Sequence, residues 1–203
     1  MAKITTQEQL RGIYAMPKGR PLAKQLDRLE QHCRRFIELS PFLVMGTQGA
    51  DGLGDVTPRG ERPGFVHVLD DHTVAIPDRP GNNRLDSMTN ILANPAVALI
   101  FLIPGVDETF RINGHAEIRD DAELLQRFEV DGKLPRAVIL VHVVEAYLHC
   151  AKALMRSRLW DADTRIERSA LPTMAEMLRD QTGGAVELES PEDMRDRYRR
   201  VLY

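Results

Sequence analysis

Apolar residues recur along this chain with two periodicities, one typical of helices and one typical of strands. They divide the chain into a helical beginning, a strand-rich middle and a polar end. Apolar positions at helical spacing predict an amphipathic helix over about residues 21–39, closed by Ser40-Pro41. Alternating or β-branched apolar runs then predict strands. These cover residues 42–47, 55–58, 65–69, 73–77, 97–102, 109–118 and 137–148. Short helices over 83–93 and about 121–129 interrupt them.

The order of these elements predicts the fold class. Many short strands with few helices between them favour an antiparallel sheet closed into a barrel over repeating βαβ units. The Asp70-Asp71 turn makes a hairpin of strands 65–69 and 73–77. After Trp160 the chain becomes polar, and Pro172-Thr173 and Ser190-Pro191 begin two further helices. We therefore expect an α+β fold with six to seven strands. Its parts are a helical segment 1–40 packed on the barrel, the barrel 41–160, and a helical tail 161–203 packed on the barrel or on a partner.

The stretch TVAIPDRPGNNRLD suggests an anion site. It reads as a strand, a Pro/Gly loop and a helix that starts near Asn83-Arg84, with Asn82 and Asn83 as candidate N-caps. Free backbone N–H groups, the positive end of the helix dipole and the side chains of Arg79 and Arg84 would converge there on a phosphate. The alternative is a capped surface helix with two solvated arginines. Both interpretations remain open on these residues alone.

Composition excludes several classes of function. A net charge of −3 over 203 residues gives no global attraction to nucleic acid or to anionic membranes. Two distant cysteines suggest neither a disulfide framework nor a thiolate zinc site, and the histidines lack metal-ligand spacing. No run approaches the roughly 20 apolar residues of a membrane span, and the N-terminus lacks a signal-peptide core. We expect a cytoplasmic protein without a resident metal and without acyl-transfer or nucleotide-hydrolysis motifs.

Three motifs in this order resemble a known family. FLVMGTQGADGLGDVTPRG, PDRPGNNR and HCAKALMRSRLW are similar to segments of the FMN-binding split-barrel proteins related to pyridoxamine 5'-phosphate oxidase. The resemblance spans roughly residues 40–160 and is nearest to the oxidase-type flavoproteins that carry TPRG and the PDRPGNNR loop. It implies a split barrel with flanking helices and a homodimer that binds FMN between its subunits, together with a small-molecule substrate.

The resemblance also implies cofactor roles for particular residues. One group holds the FMN phosphate, a second follows the edge of the isoalloxazine ring through its backbone, and the others lie beside the ring or reach the partner's cofactor. They are Asn83 and Arg84, with Arg79 as a further phosphate contact; Thr57, Pro58 and Arg59 along the ring edge; Ile76 and Pro77 beside the ring; and Thr109, commonly supplied by the other subunit.

The chain departs from pyridoxamine phosphate oxidases proper at three points. Asn83 stands where those enzymes carry the first residue of a basic pair. Their lysine further along the second strand has no counterpart here, and their C-terminal substrate signature is missing. We therefore expect an oxidoreductase that is not a true pyridoxamine phosphate oxidase.

The segment 147–160 is a second candidate for chemistry. If the last strand ends at His149, then Lys152, Arg156 and Trp160 follow at steps of four on one helical face. Such a cation beside the flavin stabilises the negative charge of its reduced form, and the indole shields the ring. We assign Lys152, Arg156, Ser157 and Trp160 to the cofactor, and His149, Lys152 and Arg156 as candidate catalytic groups. The alternative is a backbone-bonded histidine, a core Cys150, and arginines paired with acidic residues of the tail.

The function expected from these observations is hydride or electron transfer between bound FMN and a small organic substrate or NAD(P)H. Because the flavin carries the chemistry, no dedicated acid or base is required. The alternative is a barrel that binds or senses flavin, haem or a deazaflavin without turnover. A purely structural role rests on the helical tail alone.

Overall fold

The computed structural model describes residues 3–185 and 189–202. Within them the chain forms seven strands and eight α-helices. The strands are β1 (Phe42–Gln48), β2 (Gly54–Gly60), β3 (His67–Val68), β4 (Thr73–Asp78), β5 (Ala96–Leu102), β6 (Thr109–Arg119) and β7 (Ala137–His149). The helices are α1 (Gln7–Ile13), α2 (Arg20–Ala23), α3 (Gln31–Leu39), α4 (Asp86–Ala93), α5 (Ala122–Gln126), α6 (Lys152–Ser157), α7 (Met174–Gln181) and α8 (Pro191–Val201).

All seven strands form one antiparallel sheet in the order β2-β1-β5-β6-β7-β4-β3. This confirms the predicted α+β class, the strand number and the hairpin of β3 with β4. The predicted closure of the barrel by strand pairing is not seen: in the described residues β2 and β3 are the two edges, and no hydrogen-bonded ladder joins them. An open seam of this kind is consistent with a split barrel. β3 itself is shorter than predicted, since Phe65 N donates to Arg62 O in a turn before the strand.

The inner face of the sheet and one side of α3 make the main core. Alternation along β1, β5 and β6 turns every second side chain inward, as expected for strands with one buried face. The largest buried members include Leu43, Met45, Leu99, Phe101, Phe110 and Ile112, with Phe36 and Ile37 from α3. The opposite alternation leaves an apolar outer face on β2, β1 and β5. This apolar outer face consists of Val44, Val56, Ala98, Ile100 and Leu102, and Val56 is 73% exposed.

The predicted helix over residues 21–39 is wrong in its middle. α2 ends at Ala23 and α3 begins at Gln31, with a non-helical segment between them that contains a single β-bridge at Leu26. The reason is pairing with β7: β4 covers that strand only as far as His142, and beyond it Leu26 exchanges two backbone hydrogen bonds with Ala146, of 2.9 and 2.8 Å. Glu30 then starts α3 by accepting from the N–H groups of its first turn. Backbone pairing with the part of β7 that β4 leaves uncovered thus overrides the helical periodicity.

The two predicted helices of the tail are confirmed at their starts. Thr173 and Glu176 form a capping box at α7, and Ser190 caps α8 ahead of Pro191. Neither α1 nor α7 contains a buried residue, so neither helix packs into the core of its own chain. The domain boundaries inferred from the sequence stay predictions. No helix in residues 3–185 or 189–202 has the length and apolar content needed to cross a membrane.

Gly114 is required by a bulge in the longest strand pair. Asn113 faces Glu145 and Gly114 faces Val143, so Val144 is an extra residue on β7. A Cβ on Gly114 would collide with the carbonyl oxygen of His142, which is backbone and does not yield like a side chain. We expect Gly114→Ala to lower the free energy of unfolding by about 1 to 3 kcal/mol, the usual range for overpacking.

Urea or thermal unfolding of the full chain measures this loss. Gly54→Ala in β2 is the matched control, because nothing lies within 4 Å of the position its Cβ would take. Equal stability of the two variants would show that the backbone at Gly114 relaxes without cost.

Candidate functional site

Two ion pairs tie the end of β2 to the end of β4 across the open seam. Arg59 pairs with Asp78, and just beyond the strands Arg79 pairs with Glu61 at 3.0 Å. The four side chains are only 10 to 19% exposed. These pairs bring together the TPRG strand, the end of β4 and the loop that follows it.

Arg79 is held within the fold at this position. Its Nε and Nη2 donate to the two carboxylate oxygens of Glu61, at 3.0 and 3.2 Å, and Nη2 also donates to the carbonyl of Phe128 at 2.8 Å. Its assignment to the FMN phosphate stays a prediction. These bonds show that the guanidinium anchors the loop to the segment after α5.

The helix after the loop starts later than the sequence suggests. α4 begins at Asp86, and Leu85, in the left-handed region with φ of 58°, takes the N-cap position without a side-chain cap. The predicted capping by Asn82 or Asn83 is therefore wrong. Asn83 is also left-handed, and the Asn82 carboxamide oxygen accepts from Arg84 N at 3.1 Å, which makes a turn of this segment.

Exposed cations surround this turn. The Arg84 side chain is 74% exposed and meets Asp86 at 2.8 Å. Arg136, which the sequence analysis missed, donates from Nη1 to the Asn83 side-chain oxygen at 2.9 Å, and its own N–H donates to Asp78 O at 3.0 Å. Arg136 could be found only from the antiparallel pairing of β4 with β7. This pairing sets Asp78 opposite Ala137, the residue that follows Arg136. The loop thus offers Arg84, Arg136 and the Asn83 amide to an anion.

β2 presents two different faces beside the loop. Thr57 and Arg59 point to the inner, half-buried side, whereas Val56 and Pro58 are exposed on the outer side. As an edge strand, β2 has one side of its backbone unpaired within the described residues. Ile76 and Pro77 of β4 are buried. These positions are compatible with a ring edge lying along the β2 backbone, and their cofactor roles stay predictions.

A second group of predicted residues lies at the end of β7 that is opposite to its pairing with Asp78 of β4. Thr109 is directly opposite His149 at the ends of β6 and β7, and α6 follows. The predicted single face of Lys152, Arg156 and Trp160 is wrong for Trp160, because α6 ends at Ser157 and Arg158 turns left-handed with φ of 53°. The Trp160 Nε1 instead donates to Val106 O at 2.9 Å, which fixes the indole on the loop before β6.

The contacts of segment 147–160 agree partly with a role at the cofactor and partly with the structural alternative. Arg158 pairs with Asp161 and Asp163, as the structural alternative expects. Cys150, however, is exposed rather than in the core. In the described parts of the chain, Lys152 and Arg156 have no ion pair and are exposed. Burial, together with the charges of Arg111 and Lys24, lowers the pKa of His149, which favours a neutral imidazole at neutral pH.

Two buried polar atoms lack a hydrogen-bond partner within the described residues: Arg59 Nε and Thr109 Oγ1. Both belong to residues that the resemblance assigns to the cofactor. β1 and β5 separate their strands, a distance of about 14 Å along the sheet at ordinary strand spacing. An unsatisfied buried donor costs about 1 to 3 kcal/mol, so such atoms point to a missing partner.

The open antiparallel sheet with its ion-paired seam and cationic loop defines an α+β protein of split-barrel type. A family model described as pyridoxamine 5'-phosphate oxidase matches residues 29–150. This is more than half of the 203 residues, and the chain belongs to the pyridoxamine 5'-phosphate oxidase family.

Several solved structures are similar to this chain. A variant of HupZ from Group A Streptococcus is 18% identical with a TM-score of 0.49, over 60% of this chain and 99% of that chain. A candidate pyridoxamine 5'-phosphate oxidase from Lactobacillus delbrueckii is 21% identical with a TM-score of 0.47, over 61% and 98%. An FMN-binding protein from Syntrophomonas wolfei is 10% identical with a TM-score of 0.43, over 58% and 88%. No curated protein matches the chain. The family assignment therefore rests on the family model.

Proposed function

We propose that this protein is an FMN-dependent oxidoreductase, and that two copies form a homodimer with FMN at the subunit interface. The observation that carries the proposal is the pair of buried, unpartnered atoms, Arg59 Nε and Thr109 Oγ1. A cofactor with polar ring edges and a ribityl phosphate would give both atoms partners. Their separation along the sheet favours a partner subunit that brings its Thr109 to the Arg59 side of the first.

The phosphate of the cofactor is assigned to the loop between β4 and α4. Arg84 and Arg136 supply positive charge there. The nearby carboxylates of Asp78, Glu61 and Asp86 are each paired with an arginine, namely Arg59, Arg79 and Arg84. Arg136 therefore adds a surplus positive charge in a region where unpaired carboxylates would repel a phosphate.

The bound FMN would supply the hydride or electron transfer itself. The chain's own residues would hold it: the β2 backbone orients the ring edge, and the loop anchors the phosphate. His149, Lys152 and Arg156 remain candidates for the reacting side of the site, as inferred from the sequence. A neutral His149 offers one hydrogen-bond donor and one acceptor to a substrate.

Titration of the purified full chain with FMN tests the cofactor. We expect the flavin absorption and fluorescence to change saturably, and mass spectrometry of denatured protein to release FMN. Reduction of the bound flavin by NADH or NADPH, followed by reoxidation with a panel of acceptors, separates an enzyme from a carrier. Protein that never binds flavin, or that releases haem or a deazaflavin instead, would contradict the proposal.

Arg84→Ala is expected to weaken FMN binding by about 1.5 to 3 kcal/mol, because charge-assisted bonds to the phosphate are lost. Riboflavin, which lacks the phosphate, should bind both proteins equally in the same fluorescence titration. The control is Arg34→Ala, which removes an arginine that pairs with Asp71 and is distant in sequence from Arg84. If Arg84→Ala and the unmodified chain bind FMN with equal affinity, the assignment of the FMN phosphate to this loop is wrong.

A further inference from the structure

Two cations on the outer side of β6 and β7 lie against one aromatic ring. The Arg111 guanidinium carbon is 5.2 Å from the centroid of Tyr147, and Lys24 Nζ is 5.8 Å from the same centroid. The fold fixes both: Arg111 is directly opposite Tyr147 in the strand pair, and the pairing of Leu26 with Ala146 brings Lys24 alongside. Lys24 Nζ also donates to Leu148 O at 2.5 Å. The cations are therefore positioned by the backbone rather than by acidic partners.

Cations in such positions usually form ion pairs with carboxylates, and within the described part of the chain Arg111 and Lys24 do not. In the described residues neither Arg111 nor Lys24 has a carboxylate within ion-pairing distance. Glu145 lies one row along the same face, but its two oxygens accept from the side-chain amides of Asn113 and Gln25. The carboxylate is thus held by neutral donors and not by the cations. Two positive charges remain uncompensated in a chain whose net charge is −3.

The next row of the same strand pair adds neutral polar groups. Thr109 faces His149, and the Thr109 hydroxyl is the buried group without a partner. Burial lowers the pKa of His149, and the nearby positive charges of Arg111 and Lys24 lower it further. Tyr147, which is opposite Arg111 in the first row, is half-buried. A hydroxyl, an imidazole and two cations therefore share one end of the β6–β7 pair.

We propose that Arg111 and Lys24, which both lie against the ring of Tyr147, form a binding site for the phosphate group of a small molecule. A guanidinium offers a planar fork that binds two phosphate oxygens, and an ammonium adds a compact charge. The site is separate from the loop between β4 and α4. Its assignment to the phosphate of a substrate or an electron donor rests on the proposed function, whereas phosphate binding itself does not.

The experiment is isothermal titration calorimetry of the full chain at low ionic strength, with and without saturating FMN. The probes are inorganic phosphate, phenyl phosphate and NADPH, which separate a free phosphate site from a phosphomonoester site and from a dinucleotide site. We expect Arg111→Ala to weaken binding of the preferred probe about tenfold or more, and Lys24→Ala to weaken it less. Arg111→Lys should restore part of the affinity. Arg195→Ala, an exposed arginine of α8, should leave it unchanged.

Comparison with the Arg84→Ala variant decides the location of the phosphate. Loss of probe binding in Arg84→Ala but not in Arg111→Ala would place the phosphate in the loop and overturn the proposal. Failure of all three probes to bind the unmodified chain would also overturn it. If Arg111→Ala does not fold, the exposed Lys24→Ala variant carries the test, and unchanged affinity there contradicts the proposal. Phosphate binding that persists in a chain unable to bind FMN would support this site while contradicting the flavin function.

Discussion

Glu61→Gln is expected to lower the free energy of unfolding by about 3 kcal/mol, because it removes the carboxylate that pairs with the Arg79 guanidinium in a largely buried setting. The Arg79 and Glu61 side chains are 13% and 10% exposed. The amide that replaces the carboxylate still fits the space, so the loss reports charge rather than volume. Chemical denaturation of the full chain measures this loss of free energy. The slope of the free energy of unfolding against denaturant concentration should stay unchanged.

The matched control is Glu38→Gln at the exposed pair of Arg35 with Glu38, whose side chains are 61 and 62% exposed. A pair of that kind contributes about 0 to 0.5 kcal/mol. If Glu61→Gln costs no more than the control, Arg79 is not held by Glu61 in solution.

This pair shows where sequence reasoning about the site stopped. Arg79 was identified correctly as a residue of the loop, but its partner Glu61 lies 18 positions earlier, beyond β2. Only the approach of the ends of β2 and β4 reveals the pairing. Helical periodicity similarly failed between α2 and α3, because pairing of Leu26 with β7 is a tertiary interaction.

Strand existence was predictable for a physical reason. Alternation places one residue in two on a buried face, and β1, β5 and β6 retain that pattern in the structure. What alternation does not provide is the order of strands or the residues that meet across them. Arg136 beside Asn83, and Arg111 over Tyr147, become neighbours only through antiparallel register. The loop was therefore predictable as a cationic turn, whereas its full set of cations was not.

Ala98→Arg is expected to convert the proposed homodimer into monomers, raising its dissociation constant by about two orders of magnitude or more. Ala98 lies on the apolar outer face, opposite Gly46 of β1, with Val56 on the next strand. A contiguous exposed apolar surface of this kind commonly marks an interface. Burying an arginine there without a counter-charge is costly, while the exposed position of Ala98 spares the core of the subunit.

Light scattering on a sizing column, over a range of protein concentrations, measures the change in mass. Ala93→Arg, an exposed position at the end of α4, introduces the same charge away from this face and should leave the dimer intact. Because the proposed cofactor site needs both subunits, Ala98→Arg should also weaken FMN binding, whereas Arg84→Ala should weaken it without changing the mass. A dimer that survives Ala98→Arg would move the interface elsewhere, and a monomeric unmodified chain would contradict the shared site.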